Sequence, residues 1–138
     1  MAERYYLDSS AYLSMLLGEE AGPDIERRTS GAEVFSSVLL VLETTRTLVR
    51  LSRERQISGR EHASAMERLQ QDLEVFDLCD VSLALCRSST FPAVTIPRAL
   101  DLAHLRTALM YHAEGPLTAF LSLDERQLLA ARELGLPI

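Results

Sequence analysis

Lysine is missing from this 138-residue chain, and all 14 of its basic side chains are arginine. That removes every chemistry needing a lysine amine: a P-loop, a Schiff base, and the lysine that a receiver domain requires. Cysteine is nearly absent too. Cys79 and Cys86 have no histidine close by, so they form neither a zinc pattern nor a redox motif. They read as two small core residues in a reducing compartment. No apolar run approaches the roughly 20 residues of a membrane helix. The N-terminus passes through Glu3 and Arg4 straight into a strand-like segment, so no signal peptide is visible and a cytoplasmic protein is expected. Repeats, low-complexity tracts and linkers are lacking as well. One domain spanning 1–138 follows.

What is present is ordinary globular material, 47% apolar and 25% charged, enough to bury a real core. The net charge is −6. An acidic chain is a poor general binder of nucleic acid, because attraction to phosphate drives that binding. A nuclease of this charge needs a local basic patch beside any acidic site. Arginine is the better residue for forked phosphate contacts, although coding-DNA composition alone also accounts for the arginine bias.

Strand and helix signals alternate along the chain. Arg4 to Asp8 reads as a strand. Ser9 and Ser10 can cap a helix to about Leu17, stopped by Gly18. Pro23 opens a short helix to Thr29. Glu33 to Ser36 is a second strand, followed by a long helix from Ser37 to about Arg55. Val38, Leu42, Thr45 and Val49 share one face of that helix; Glu43, Arg46, Arg50 and Arg53 form an adjacent stripe. Ser58 and Glu61 make a capping box for a helix carrying His62, Met66, Leu69 and Leu73 at helical spacing. Glu74 to Leu78 is a third strand, Asp80 to Ser88 helical, and Thr90 to Pro97 a loop. Arg98 to His112 is helical, Leu117 to Leu121 a fourth strand, and Glu125 to Leu134 the last helix. Leu136 to Ile138 can add an edge strand. The pattern predicts an α/β fold: a three-layer α/β/α sandwich around a mostly parallel sheet of four to five strands.

Four acids stand out because of their neighbours. Asp8 ends Tyr5-Tyr6-Leu7, Glu43 follows Val38-Leu39-Leu40-Val41-Leu42, Asp101 interrupts Ala99-Leu100…Leu102-Ala103, and Asp124 follows Ala119-Phe120-Leu121-Ser122-Leu123. An unpaired carboxylate in a core element is costly. Acids gathered together also raise one another's pKa. A divalent cation removes both penalties, and oxygen-only ligands favour magnesium or manganese. In an open parallel sheet, functional groups collect beyond the carboxyl ends of the strands. Asp8 and Asp124 follow strands; Glu43 and Asp101 lie early in helices that start on the same rim. The expected chemistry is metal-dependent phosphodiester hydrolysis. Asp8 and Asp101 are first choice as direct ligands. Glu43 and Asp124 can ligate through water, hold a second ion, or orient the attacking water.

The motifs resemble those of PIN-domain ribonucleases, and most closely the VapC toxins of bacterial toxin–antitoxin pairs. Tyr6-Leu7-Asp8-Ser9-Ser10-Ala11 is similar to the family's first motif, and Ser37-Val38-Leu39 through Glu43 to its second. Arg98-Ala99-Leu100-Asp101-Leu102-Ala103-His104-Leu105 is similar to the third. Leu121-Ser122-Leu123-Asp124 with Ala130-Ala131-Arg132-Glu133-Leu134-Gly135 is similar to the fourth. The resemblance spans essentially the whole chain. Ser122 stands where threonine is usual, and Leu102 and Ala103 vary the third motif; no proposed ligand is affected. The resemblance implies a PIN-like sandwich and a Mg2+- or Mn2+-dependent endoribonuclease toxin. It also implies a homodimer and a cognate antitoxin whose C-terminal segment covers the acidic groove. Operator DNA is then met only indirectly, through the antitoxin.

Plainer readings stand beside these. Asp8 and Asp124 can be helix caps, Glu43 can pair with Arg46, and Asp101 can complement its helix dipole. His104 is a candidate general base or, better, a supporting residue behind the acids, as are Ser10 and Ser122. Arg46, Arg50 and Arg53 can track RNA phosphates or form a solvated, salt-bridged face. Among rival functions, a receiver domain lacks its lysine. A haloacid-dehalogenase-type phosphatase lacks its Asp-x-Asp pair, since Asp8-Ser9-Ser10 stands there. A non-catalytic PIN-like module binding RNA or protein remains the alternative.

Overall fold

A computed structural model describes residues 2–87, 92–96 and 98–138. Four strands form one sheet: β1 (Arg4–Leu7), β2 (Glu33–Ser37), β3 (Asp77–Cys79) and β4 (Ala119–Leu121). Their order is β3-β2-β1-β4, and every pairing is parallel. Tyr5 lies opposite Val34 on one side and Ala119 on the other. Parallel pairing demands crossovers, and the intervening helices are α1 (Ser9–Leu16), α2 (Gly22–Thr29), α3 (Leu39–Arg53), α4 (Gly59–Leu73), α5 (Leu83–Cys86), α6 (Ala99–Glu114) and α7 (Glu125–Glu133).

Side-chain alternation divides the strands between two cores. Tyr5, Leu7, Val34, Ala119 and Leu121 pack with Ala11 and Tyr12 of α1, Ile25 of α2, Leu40 of α3 and Leu69 of α4. Tyr6, Phe35 and Phe120 point the other way, onto Leu105, Ala108 and Tyr111 of α6 and Ala130 and Ala131 of α7. A sheet buried on both faces explains why β1 and β4 carry apolar residues at successive positions, Tyr5-Tyr6-Leu7 and Ala119-Phe120-Leu121. The result is the expected three-layer α/β/α sandwich, with four strands. Among the described residues no helix is long and apolar enough to cross a membrane.

The C-terminal edge strand does not form. Residues 136–138 give β4 a single backbone bond, from the Phe120 N–H to the Pro137 carbonyl at 2.7 Å. Pro137 has no N–H to continue a ladder. The expected third strand is shifted: α4 closes over Glu74–Phe76 through the Phe76 N–H to Asp72 carbonyl bond, and pairing starts at Asp77. The helix expected over Asp80 to Ser88 is one turn, α5, capped by the Ser82 hydroxyl on the Leu85 N–H. Ser88 lies outside the described residues, as do Thr90, Phe91 and Pro97 of the expected loop; residues 92–96 carry no regular structure.

The inward face of α3 also differs from the expected one. Leu40, Thr44 and Leu48 are its buried residues, whereas Leu42 is 65% and Val49 46% exposed. Both faces are apolar at helical spacing, so periodicity could not choose between them. Packing against α1, α4 and β2 does so, and it turns Glu43 away from the core of that layer. Other local signals hold. Ser58 and Glu61 form both bonds of the capping box, each 3.0 Å long.

Gly22 sits where α2 approaches the end of α1. A Cβ built there runs into the Ser14 backbone carbonyl. Helix propensity alone makes Gly→Ala favourable by about 1 kcal/mol. The backbone clash reverses that sign, and Gly22→Ala should destabilise by roughly 1–3 kcal/mol. A thermal melt in which the variant equals or exceeds the wild type would contradict this packing.

Candidate active site

β1 ends by handing its chain to α1. The Asp8 N–H still bonds the Leu121 carbonyl of β4 at 3.1 Å, which brings the ends of both strands together. Asp8 is the N-cap of α1, taking the Ala11 N–H at 3.1 Å and the Ser10 hydroxyl at 2.7 Å on Oδ1. The cap reading and the site reading are therefore both true of Asp8. It is only 6% exposed. Burial pushes its carboxyl above the usual aspartate range, and the Ser122 and Ser10 hydroxyls, the Ala11 N–H and His104 offset only part of that.

The serines stitch the rim. Ser10 Oγ and Ser122 Oγ are 3.3 Å apart, and Ser10 Oγ also accepts the Leu123 N–H at 2.9 Å. Ser122 Oγ accepts the Asp124 N–H at 3.1 Å. Asp124 in turn caps α7 through the Arg126 and Gln127 N–H groups.

Glu43 comes from α3 and meets α6. Its Oε1 accepts the Ser9 hydroxyl at 2.8 Å and His104 Nε2 at 2.7 Å. It does not pair with Arg46. Burial by itself raises the Glu43 carboxyl, but the His104 bond and charge, Ser9 and Arg98 outweigh burial and hold it below the usual range. Asp101, in the first turn of α6, shows the opposite outcome. Burial raises it, the Arg98 guanidinium 3.4 Å away opposes, and the charges of Asp124 and Glu43 raise it further. That repulsion registers how close these acids lie.

All four predicted acids, Asp8, Glu43, Asp101 and Asp124, line one pocket of about 400 Å³. Ser9, Ser10, His104, Arg46 and Arg98 share its walls, and Leu42 and Leu100 stand at them. Larger clefts exist, about 820 Å³ beside α7 and about 660 Å³ between α1 and α4, but each balances its acids with arginine. Only Arg46 of the expected arginine stripe reaches the acidic pocket. Arg50 is tied to Glu54 at 3.0 Å, and Arg53 does not line the pocket.

The donor set suits a hard cation, being carboxylate oxygens throughout. The side chains are not closed into a cage: among the described residues no group of three or more His, Cys, Asp or Glu is arranged to hold a metal ion. Each acid is turned to an internal partner instead. Asp8 is on Ser10, Glu43 on His104, Asp101 on Arg98, and Asp124 on its own helix. Glu43 Oε2, Asp101 Oδ1 and Asp124 Oδ2 accept no hydrogen bond from a described residue.

His104 is 1% exposed. Its Nδ1 meets the Tyr6 hydroxyl at 2.7 Å while Nε2 serves Glu43. Ser9 Oγ lies 3.5 Å from the same Nε2. A nucleophilic serine needs histidine's two nitrogens divided between serine and carboxylate. Here serine and carboxylate share one nitrogen, so no such triad exists.

Sequence reasoning missed four contributors. Ser9 and Tyr6 stand in the first motif, yet nothing in the sequence marks Ser9 as a partner of Glu43 or Tyr6 as a partner of His104. Arg98 precedes Asp101 by three residues, a spacing that signals a helical ion pair. Gln127, 1% exposed, donates Nε2 to the Asp101 carbonyl at 2.9 Å and so locks α7 to α6 between two acids. Nothing in the local pattern singles it out. No protein-family model and no curated protein matches the chain.

The raised Asp101 pKa fixes the sign of one effect. An acid whose folded pKa exceeds its unfolded one destabilises the fold when ionised. The penalty is absent at low pH and complete above the folded pKa. In metal-free buffer, Asp101→Asn should therefore raise Tm at pH 7, with the gain shrinking as pH falls towards about 4. A lower Tm for the variant at pH 7 would mean that the Arg98 pair outweighs the repulsion.

Proposed function

We propose that this protein is a metal-dependent endoribonuclease of the PIN-domain class, acting as the toxin of a VapBC-type toxin–antitoxin pair. The observation that carries the reading is the convergence of Asp8, Glu43, Asp101 and Asp124 on one pocket at the carboxyl edge of a parallel sheet. Segments far apart in sequence supply those acids, and local helix capping accounts for two of them only in part.

Asp8 and Asp101 are the residues that would hold Mg2+ or Mn2+ directly, with Glu43 and Asp124 contributing through water or to a second ion. A bound hard cation supplies an acidified water and neutralises charge on phosphate oxygens. The chain's own residues do the rest. Glu43 stays ionised and is held by Ser9 and His104, so it can orient a water by accepting its proton's hydrogen bond. Arg46 and the exposed Arg98 guanidinium flank the acids and can take the phosphates on either side of the scissile one. Ser10 and Ser122 keep Asp8 and Asp124 in register. His104, buried and bonded at both nitrogens, is not the general base.

The same reading brings a cytoplasmic setting, a homodimer, and a cognate antitoxin that contacts operator DNA on the toxin's behalf.

Cleavage of RNA by the purified protein with Mg2+ or Mn2+ is the direct test, read as new 5′ ends. Loss of a partner behind a metal ligand costs about 10–100-fold, so loss of a ligand should cost more. Asp8→Asn and Asp101→Asn should each lower kcat/KM by over about 100-fold while far-UV circular dichroism stays unchanged. Full activity in either variant removes the ligand assignment. RNA bound but never cut, with either metal, selects the non-catalytic module.

Phosphate contact by arginine has its own signature. Each single-strand phosphate contact contributes about −0.7 to the salt slope of log K. Alanine at both Arg46 and Arg98 should flatten the slope by roughly 1.4. Arg50→Ala, already engaged with Glu54, should leave it alone. An unaltered slope in the double variant would return both arginines to a structural role.

A further inference from the structure

A chain of hydrogen bonds runs from the middle of the core to the acidic pocket. Tyr6 is fully buried in β1, its ring stacked on Phe120 at 5.3 Å with planes 6° apart. The His104 ring stands edge-on to it at 5.9 Å. The Tyr6 hydroxyl and His104 Nδ1 are 2.7 Å apart, and His104 Nε2 and Glu43 Oε1 are again 2.7 Å apart. Three separate elements, β1, α6 and α3, are joined in a line.

Glu43 Oε1 is an ionised acceptor, so His104 Nε2 donates to it. Nδ1 then pairs with the Tyr6 hydroxyl, accepting from it when the ring is neutral and donating to its oxygen when the ring is charged. In either state every polar atom of this line has a partner, and the tyrosine fixes which nitrogen faces Glu43.

Glu43 gains a fixed orientation from this. With His104 and Ser9 both on Oε1, the carboxylate cannot swing, and Oε2 is the oxygen left to the pocket. Arg46, one turn away on the same helix and a natural competitor for Glu43, is left unpaired with it.

We propose that Tyr6 and His104 are positioning residues that present Glu43 Oε2 to a divalent cation. This rests on the nuclease reading above and deepens it. The two residues touch neither cation nor substrate; they act through Glu43. Tyr6 lies two residues before Asp8 and His104 three after Asp101. One strand and one helix therefore supply both a proposed ligand and part of the brace for another.

Binding of Mn2+ alone to the full-length protein, followed by titration calorimetry without RNA, reads this without any activity measurement. Removing such a brace typically weakens metal binding about 10–100-fold. Tyr6→Phe keeps the stacked ring and loses only the hydroxyl, so it should fold and should weaken Mn2+ within or just below that range. His104→Ala should weaken it more. His104→Gln, whose side-chain amide can still donate to Glu43, should recover much of the loss. In a Glu43→Gln background, Tyr6→Phe should add nothing further. The proposal is overturned if Asp101→Asn loses Mn2+ while folded Tyr6→Phe and His104→Ala bind it as the wild type does. It is equally overturned if Tyr6→Phe weakens binding as much in the Glu43→Gln background as alone. A wild type that takes up no Mn2+ overturns both this proposal and the nuclease reading.

Discussion

Desolvation of the Asp8 carboxylate at the end of β1 is opposed by the Ser10 and Ser122 hydroxyls, the Ala11 N–H and the field of His104. Nearly every other feature of the rim follows from that opposition. Ser10 must follow β1 directly to reach Oδ1, and Ser122 must follow β4, so the two strands have to end level with each other. The Asp8 N–H bond to Leu121 fixes that level. Once Ser122 is there, it takes the Asp124 N–H, and Asp124 is delivered to the same rim. The parallel sheet supplies the direction; a buried charge supplies the register.

The two layers flanking the sheet meet over this rim. α3 belongs with the core built on Tyr5, Leu7 and Leu121, and α6 with the core built on Tyr6 and Phe120. The His104–Glu43 bond is where they touch across the sheet's carboxyl end. Gln127 does the same between α6 and α7. The pocket is thus bounded by helices that polar side chains hold at set distances. Four carboxylates faced by two arginines leave it with an excess of negative charge; burial first, and then the charges of Asp124 and Glu43, raise the Asp101 carboxyl.

Structural and functional readings of a residue are not rivals here. Asp8 and Asp124 cap their helices and also line the pocket; both N–H groups that Asp124 caps fall on its Oδ1. Local helix chemistry orients the acids. Tertiary chemistry gives that orientation a use.

Much of this was legible in the residues alone. Strand and helix signals alternating along the chain announced a parallel sheet with helices on both faces. Ser58 with Glu61, and Gly18 and Gly135 at positive φ, marked helix ends that the fold keeps. The four acids stood out against their apolar neighbours because an uncompensated carboxylate there is too costly to be accidental. Side-chain periodicity could not decide which apolar face of α3 turns inward, since Leu40–Leu48 and Leu42–Val49 repeat equally well. Nor could it give His104 its partners. Tyr6 lies 98 residues from it and Glu43 61. Hydrogen bonding at such separations has no local trace, because it depends on where crossovers set whole helices rather than on any residue's neighbours. Composition and pattern determined which side chains the rim would carry; only the packing of three layers decided which atoms would face one another.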